Sequence, residues 1–205
     1  MSAGTPVSKT EARTQAQRER ILTAAQACFV KHGFHAASMA TIAETAAMSP
    51  GLIYRYFENK NAIILAIIER QLEDSSADIA TLQTDTDFVS LFRELFARWR
   101  SDEPELMNPN LLLEMTAQAS RDPQIASALA DADRTTGADC NAWLRERARN
   151  EGRSPTEEEL RARAFGLRCL IGGLAMRSIR EPDIDPAVLE RSLRLMLPRL
   201  LSFHD

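Results

Sequence analysis

The stretch Ser38-Met39-Ala40-Thr41-Ile42-Ala43-Glu44-Thr45-Ala46-Ala47-Met48-Ser49-Pro50-Gly51-Leu52-Ile53-Tyr54-Arg55-Tyr56-Phe57, followed by Glu58-Asn59-Lys60, decides the reading of this chain. Ser38 and Ser49 are strong helix N-caps, and Pro50 behind Ser49 suits the first helical position because its φ is already fixed there. The spacing predicts short helices over 39–46 and 50–56, joined by a tight turn in the helix-turn-helix layout. The small residues Ala43, Ala46 and Ala47 allow the two helices to approach, and Ile42, Met48, Ile53 and Phe57 supply apolar contacts between them.

A helical wheel at roughly 100° per residue separates the roles on the second helix. Ile53 and Phe57 point inward, Gly51 and Arg55 outward with Leu52 beside them, and Tyr54 and Tyr56 emerge on either side of Arg55. A helix seated in a DNA major groove needs base-reaching groups at its centre and hydroxyl donors toward the two phosphate strands. Gly51 lets the backbone come close, and Arg55 can offer guanine a forked donor. The alternative for Tyr54 and Tyr56 is an ordinary place on the rim of a core. Lys60 opens the next helix, where its charge opposes the helix dipole; a bound phosphate would relieve that conflict, and a solvated surface lysine is the alternative. Ser38, Thr41 and Ser49 can cap helices, touch phosphates, or do both.

Outward from this segment the pattern stays helical, with no sustained period-two alternation. Ser49-Pro50, Asp122-Pro123, Ser154-Pro155 and Asp185-Pro186 each read as a cap followed by proline at the first helical position, and Ser154 with Glu157 forms a capping box. Helices are predicted over 14–32, 39–46, 50–56, 60–82, 86–101, 107–121, 123–150, 155–180 and 186–202. Gly33 stops the first behind a stripe of Ile21, Ala25, Cys28 and Phe29, and Pro198 is expected to kink the last or end its regular part. The chain is therefore predicted to be all-α, as a flexible arm (1–13), a three-helix helix-turn-helix domain (14–62) and a larger helical-bundle domain (63–205).

A formal net charge of −4 looks unfavourable for a polyanion partner until it is divided. Residues 1–60 hold seven Lys/Arg against four Glu, so the acidic excess belongs to the remainder. No apolar run reaches the roughly 20 residues that span a bilayer, and the first residues lack the apolar region of a signal peptide, so a cytoplasmic protein without membrane contact is expected. Cys28, Cys140 and Cys169 are odd in number and widely spaced; packing is their expected role, with redox sensing the alternative. His32 and His35 flank Gly33 at a helix end, and no metal or other cofactor is implied.

From Arg20 to Leu65 the chain resembles the DNA-binding domain of the TetR family of regulators. The resemblance is carried by Ile21-Leu22, Phe29, Gly33-Phe34, Ile42-Ala43, Ser49-x-Gly51-x-x-Tyr54-x-Tyr56-Phe57 and Lys60. It departs at the turn, where the family often has glycine and this chain has Ala47. The resemblance implies backbone contacts for Ser38, Thr41, Ser49, Tyr54, Tyr56 and Lys60, and base contacts for Pro50, Gly51, Leu52 and Arg55. It also implies a homodimer on a palindromic double-stranded operator, released by a small-molecule effector.

The larger domain shows no catalytic signature, so no enzyme is expected. Phe92, Phe96 and Trp99 continue a stripe from Phe88; with Leu112, Met115, Trp143 and Met176 they are either core or the lining of an apolar effector pocket. By the same resemblance, the last two helices pair in the dimer through Leu167, Leu170, Ile171, Leu174, Leu189, Leu193, Met196, Leu197 and Leu200, with Gly172-Gly173 permitting close approach. The segments Leu113 to Pro123 and Gly172 to Arg177 are similar to the BetI-like branch. A ligand-responsive repressor is the expected function. The alternatives are an activator, a helical small-molecule-binding protein or enzyme without DNA function, and a module that docks a protein partner.

Overall fold

A computed structural model describes residues 9–83, 86–100 and 108–203, and among them every regular element is helical. Residues 1–8 of the expected arm, and residues 101 and 107 at two expected helix ends, lie outside the described residues. The elements are α1 (Lys9–Ala36), α2 (Met39–Thr45), α3 (Pro50–Tyr54), α4 (Lys60–Thr81), α5 (Phe88–Trp99), α6 (Pro109–Ala119), α7 (Pro123–Asn150), α8 (Glu157–Arg180) and α9 (Pro186–Leu201). Helix α1 thus begins inside the range read as an arm, and residues 10–16 of it are exposed.

Gly33 breaks α1 as expected, at φ 76 and ψ 158, a backbone conformation that side chains with a Cβ rarely adopt. The chain then remakes one turn to Ala36 before Ser38 caps α2. The caps at Ser49, Asp122 and Asp185 are present, each with proline opening the helix. Asn108-Pro109 does the same for α6, a start that the sequence reading passed over. Ser154 does not cap α8. Thr156 does, accepting from the Glu159 amide at 3.1 Å. That register places Glu157, Glu158 and Glu159 together in the first turn, where the helix dipole favours negative charge.

Helix α9 runs through Pro198 to Leu201 instead of ending there. Proline inside a helix costs about 3 kcal/mol. Leu197 and Leu201, on either side of it, are 3% and 4% exposed, and burying each contributes about 1.5–3 kcal/mol, enough to hold the last turn in place. The close approach of α8 and α9 is at Gly166, where an added Cβ would lie 2.6 Å from a Leu200 methyl. It is not at Gly172-Gly173, which face open space.

Among the described residues the buried apolar side chains form two separate cores. The first unites Ile21 and Phe29 of α1, Ile42 of α2, Ile53 of α3 and Ile63, Ile64 and Ile67 of α4 with Leu111 and Met115 of α6 and Ile125 of α7. It therefore crosses residue 62, so the head of the larger domain packs with the three N-terminal helices. The second joins Phe88, Phe92, Phe96 and Trp99 to Leu144, Leu160, Leu174, Leu193 and Phe203. Helices α4 and α7 run from one core to the other.

Candidate nucleic-acid interface

Five residues are too few to be helical alone, because the first turn orders several dihedrals for a single hydrogen bond. Helix α3 is held by its surroundings. Ile53 is fully buried behind it, Ser49 accepts from the Leu52 amide at 3.3 Å, and the Tyr56 and Phe57 amides both donate to the Ile53 carbonyl at 2.9 Å.

The turn before α3 is a Schellman closure: the Met48 amide reaches the Ala43 carbonyl and the Ala47 amide reaches Glu44, both at 2.9 Å. This closure needs a left-handed residue, and Ala47 supplies it at φ 49. Ala47 is exposed there; only Ala43 and Ala46 sit at the buried face expected of all three. A guanidinium N–H of Arg20 donates to the Ala47 carbonyl at 3.2 Å, tying the turn to α1.

On the outer face Pro50, Gly51, Tyr54 and Arg55 are exposed, Tyr54 to 56%, while Leu52 is half-buried. Nothing lies within 4 Å of a Cβ built on Gly51. The side chains of Tyr54 and Arg55 hydrogen-bond to no other described residue, so their donors point outward unspent. Tyr56 differs from Tyr54: it is half-buried and packs on the first core. Ser38 is already engaged, accepting from the Thr41 amide at 3.0 Å and sharing a 2.8 Å contact with the Thr41 hydroxyl.

Lys60 has a role that neither sequence reading offered. Its Nζ donates to the carbonyls of Phe34 at 2.6 Å and His35 at 3.1 Å and lies 4.7 Å from the centre of the Phe34 ring. Burial lowers its pKa below the usual lysine value, and two of its three N–H bonds are committed to the break in α1. The same break is gripped from the other side, where the Phe34 amide donates to Glu114 of α6 at 2.9 Å. Next to it the Asn61 side-chain amide donates to Asp122 at 2.5 Å. Glu114 carries no local signal in the sequence, since its partner lies 80 residues away.

The residues expected to line one effector pocket do not converge. Phe92, Phe96 and Trp99 belong to the second core with Trp143 and Met176 packed against it, whereas Met115 and Leu112 belong to the first. The indole N–H of Trp143 donates to the Leu82 carbonyl at 3.2 Å. Of the residues expected to pair two copies, Leu167, Leu174, Leu189, Leu193 and Leu197 fill this chain's own core, and Leu170, Ile171 and Leu200 pack against it. Of these only Met196 is exposed; Phe165 of α8 and Val188 and Leu195 of α9 are exposed as well.

Residues 21–67 match the family model for bacterial regulatory proteins of the tetR family, and residues 102–202 match that for the C-terminal region of BetI-type transcriptional repressors. The HTH-type transcriptional regulator UidR of Escherichia coli is 35% identical over 120 residues, which span 57% of this chain and 60% of that relative. The match thus covers less than two thirds of the relative's length. The HTH-type transcriptional repressor KstR of Mycolicibacterium smegmatis is 36% identical over 90 residues, 42% of this chain and 44% of KstR. Among solved structures, Salmonella enterica GusR superposes with a TM-score of 0.74 at 28% identity, covering 96% of this chain and 99% of that one.

Proposed function

The chain belongs to the TetR family of bacterial regulatory proteins, and from that premise we propose that it is a homodimeric, DNA-binding transcription regulator acting in the cytoplasm, a repressor released by a small-molecule effector. One observation carries the DNA reading: α3 is a short helix buried through Ile53 on one side and free on the other, where Tyr54 and Arg55 present donors with no described partner. Side-chain donors raised on a rigid, capped helix are what base and phosphate recognition requires. Ser38, Thr41 and Ser49 stand at helix starts beside it, and Lys60 keeps one N–H direction for a phosphate.

Two copies are needed to place two such helices about 34–36 Å apart in successive major grooves of a palindromic site. The face for that pairing is the exposed one of α8 and α9, with Phe165 (62% exposed), Leu195 (68%) and Met196 on it and the open backbone of Gly172-Gly173 allowing a partner helix near. Repression follows the names of the BetI-type match and of KstR. Selection of bound fragments from genomic DNA, then anisotropy titrations against the recovered sites, tests the reading. Tight binding to a two-fold site and weak binding to scrambled DNA is the expected result; equal affinity for both would overturn it.

A further inference from the structure

Helix α6 holds the first core through Leu111 and Met115 and grips Phe34 through Glu114. Its first turn does something else. Asn110 lines a cleft of about 450 Å³ together with Trp99 and Arg100 at the end of α5, and Ser178, Ile179 and Pro182 at the end of α8 and just beyond it. We propose that this cleft binds a small organic carboxylate and, resting on the regulator reading above, that it is the effector site.

The chemistry of the lining is donor-rich. Trp99 is 7% exposed, and its indole N–H, which can only donate, is buried with no acceptor among the described residues. A buried donor left unpaired costs about 1–3 kcal/mol, a penalty that a bound acceptor would remove. Arg100 stands beside it, and its one ion-pair partner among the described residues is Asp183, at 3.4 Å on a side chain that is 94% exposed. An exposed pair of that kind contributes little, so an incoming carboxylate displaces it readily. A guanidinium offers a carboxylate two parallel N–H bonds, and Asn110 adds an amide. Ser178 is 6% exposed and donates its hydroxyl proton to the Ala175 carbonyl at 2.8 Å, so the donors left for the ligand are those of Trp99, Arg100 and Asn110. Ile179, Pro182 and the Trp99 ring provide apolar surface for the rest of the molecule. Anionic at one end and apolar at the other is the ligand that fits.

The position supplies the coupling. Asn110 and Glu114 are one helical turn apart on the same side of α6, about 6 Å along its axis. A ligand that draws Asn110 toward Arg100 therefore moves the helix that holds Phe34, four residues before the Ser38 cap of α2. Allosteric linkage requires such a difference in contacts between two states, and this helix touches both places.

The test uses benzoate as the probe and uncharged benzamide as its control, on the full-length protein. The two indole N–H signals in a ¹⁵N spectrum are assigned with Trp143→Phe, and the titration is read on wild type. Benzoate should shift the Trp99 signal saturably, benzamide should not, and Arg100→Gln should weaken benzoate binding about tenfold or more. A shift at Trp143 alone, equal response to both probes, or unaltered affinity in Arg100→Gln overturns the site. A second arm measures operator affinity with benzoate present. Benzoate seated at Trp99 without a change in DNA affinity overturns the effector role alone, and absence of DNA binding in either condition overturns the regulator reading instead.

Discussion

The carboxylate of Glu114 accepts a 2.9 Å hydrogen bond from the backbone amide of Phe34, and the carbonyl of that same Phe34 accepts from Lys60 at 2.6 Å. Both polar groups of one buried residue, in the single turn between the glycine break and the helix-turn-helix, are thus satisfied by side chains from two other helices. A kinked backbone loses the helical partners of these groups, and burial would otherwise leave them unpaired. This residue links α6 to the segment that aims α2 and α3.

Glu114→Ala removes the acceptor and leaves the Phe34 amide without one. The expected loss of unfolding free energy is about 1–3 kcal/mol by urea titration. Glu114→Gln retains an acceptor and should lose less. If the two variants were equally stable to wild type, Phe34 would not depend on this bond.

Ala47→Gly should stabilise the protein. Ala47 sits at φ 49, where an L side chain costs about 1–2 kcal/mol relative to the right-handed region and glycine almost nothing. Part of that gain is lost because glycine is freer when unfolded, leaving about 0.5–1 kcal/mol. For a chain of this length a rise in Tm of about 2–4 °C per kcal/mol is the scale expected in calorimetry. A fall in Tm would show that the Schellman turn is not strained.

Arg55→Ala and Lys60→Ala should separate. Arg55 has no described partner, so its loss should leave stability unchanged and relax sequence preference at one operator position by about 1–3 kcal/mol. Lys60→Ala should weaken binding to all sequences alike and also lower stability, because the carbonyls of Phe34 and His35 lose their donor. Indistinguishable profiles in binding and melting would dissolve this division of labour.

Leu195→Glu and Leu193→Glu test the proposed pairing of two copies through the outer face of α8 and α9. Leu195 is 68% exposed, so a charge there should split the dimer in sedimentation while the helical circular dichroism persists. Leu193 is fully buried inside one chain, and a charge there should unfold it. A dimer that survives Leu195→Glu would place the interface elsewhere.

The thiols should differ in reactivity. Burial pushes the Cys140 thiol above its usual value of 9.0, whereas Cys169 is exposed on α8. With the folded pKa raised, the buried thiol's contribution to stability is complete below 9.0 and declines as pH rises through the folded value. Mass spectrometry after brief iodoacetamide treatment at pH 8 should therefore find little label on Cys140, and on Cys169, one turn from Phe165 on the proposed pairing face, more label once the copies are diluted apart. Equal labelling would mean that α7 opens in the native protein.

Much of the segment from Gly33 to Arg55 was legible because its determinants lie close together. Ser38, Ser49, Pro50, Gly33 and the outward positions of Gly51 and Arg55 all follow from caps, turn chemistry and helical spacing within a few residues. The one visible departure, alanine for glycine at 47, leaves the turn in place, with Ala47 itself taking the positive φ. One misreading came where two local solutions compete, as Ser154 did with Thr156, while at Pro198 the helix continues as its predicted range allows.

Distant pairing is another matter. Periodicity told that Leu193, Leu197 and Met115 face something apolar, but a hydrophobic stripe has no address: burial is non-directional and rewards any apolar partner alike. Only the folded chain assigned Met115 to the first core and the leucines of α9 to the second, left Leu195 facing outward, and brought Glu114 to Phe34 across 80 residues. Helices, their starts and the outward face of α3 were written locally, whereas which surfaces meet was decided by three-dimensional packing, since contacts between remote residues depend on the path of the whole backbone.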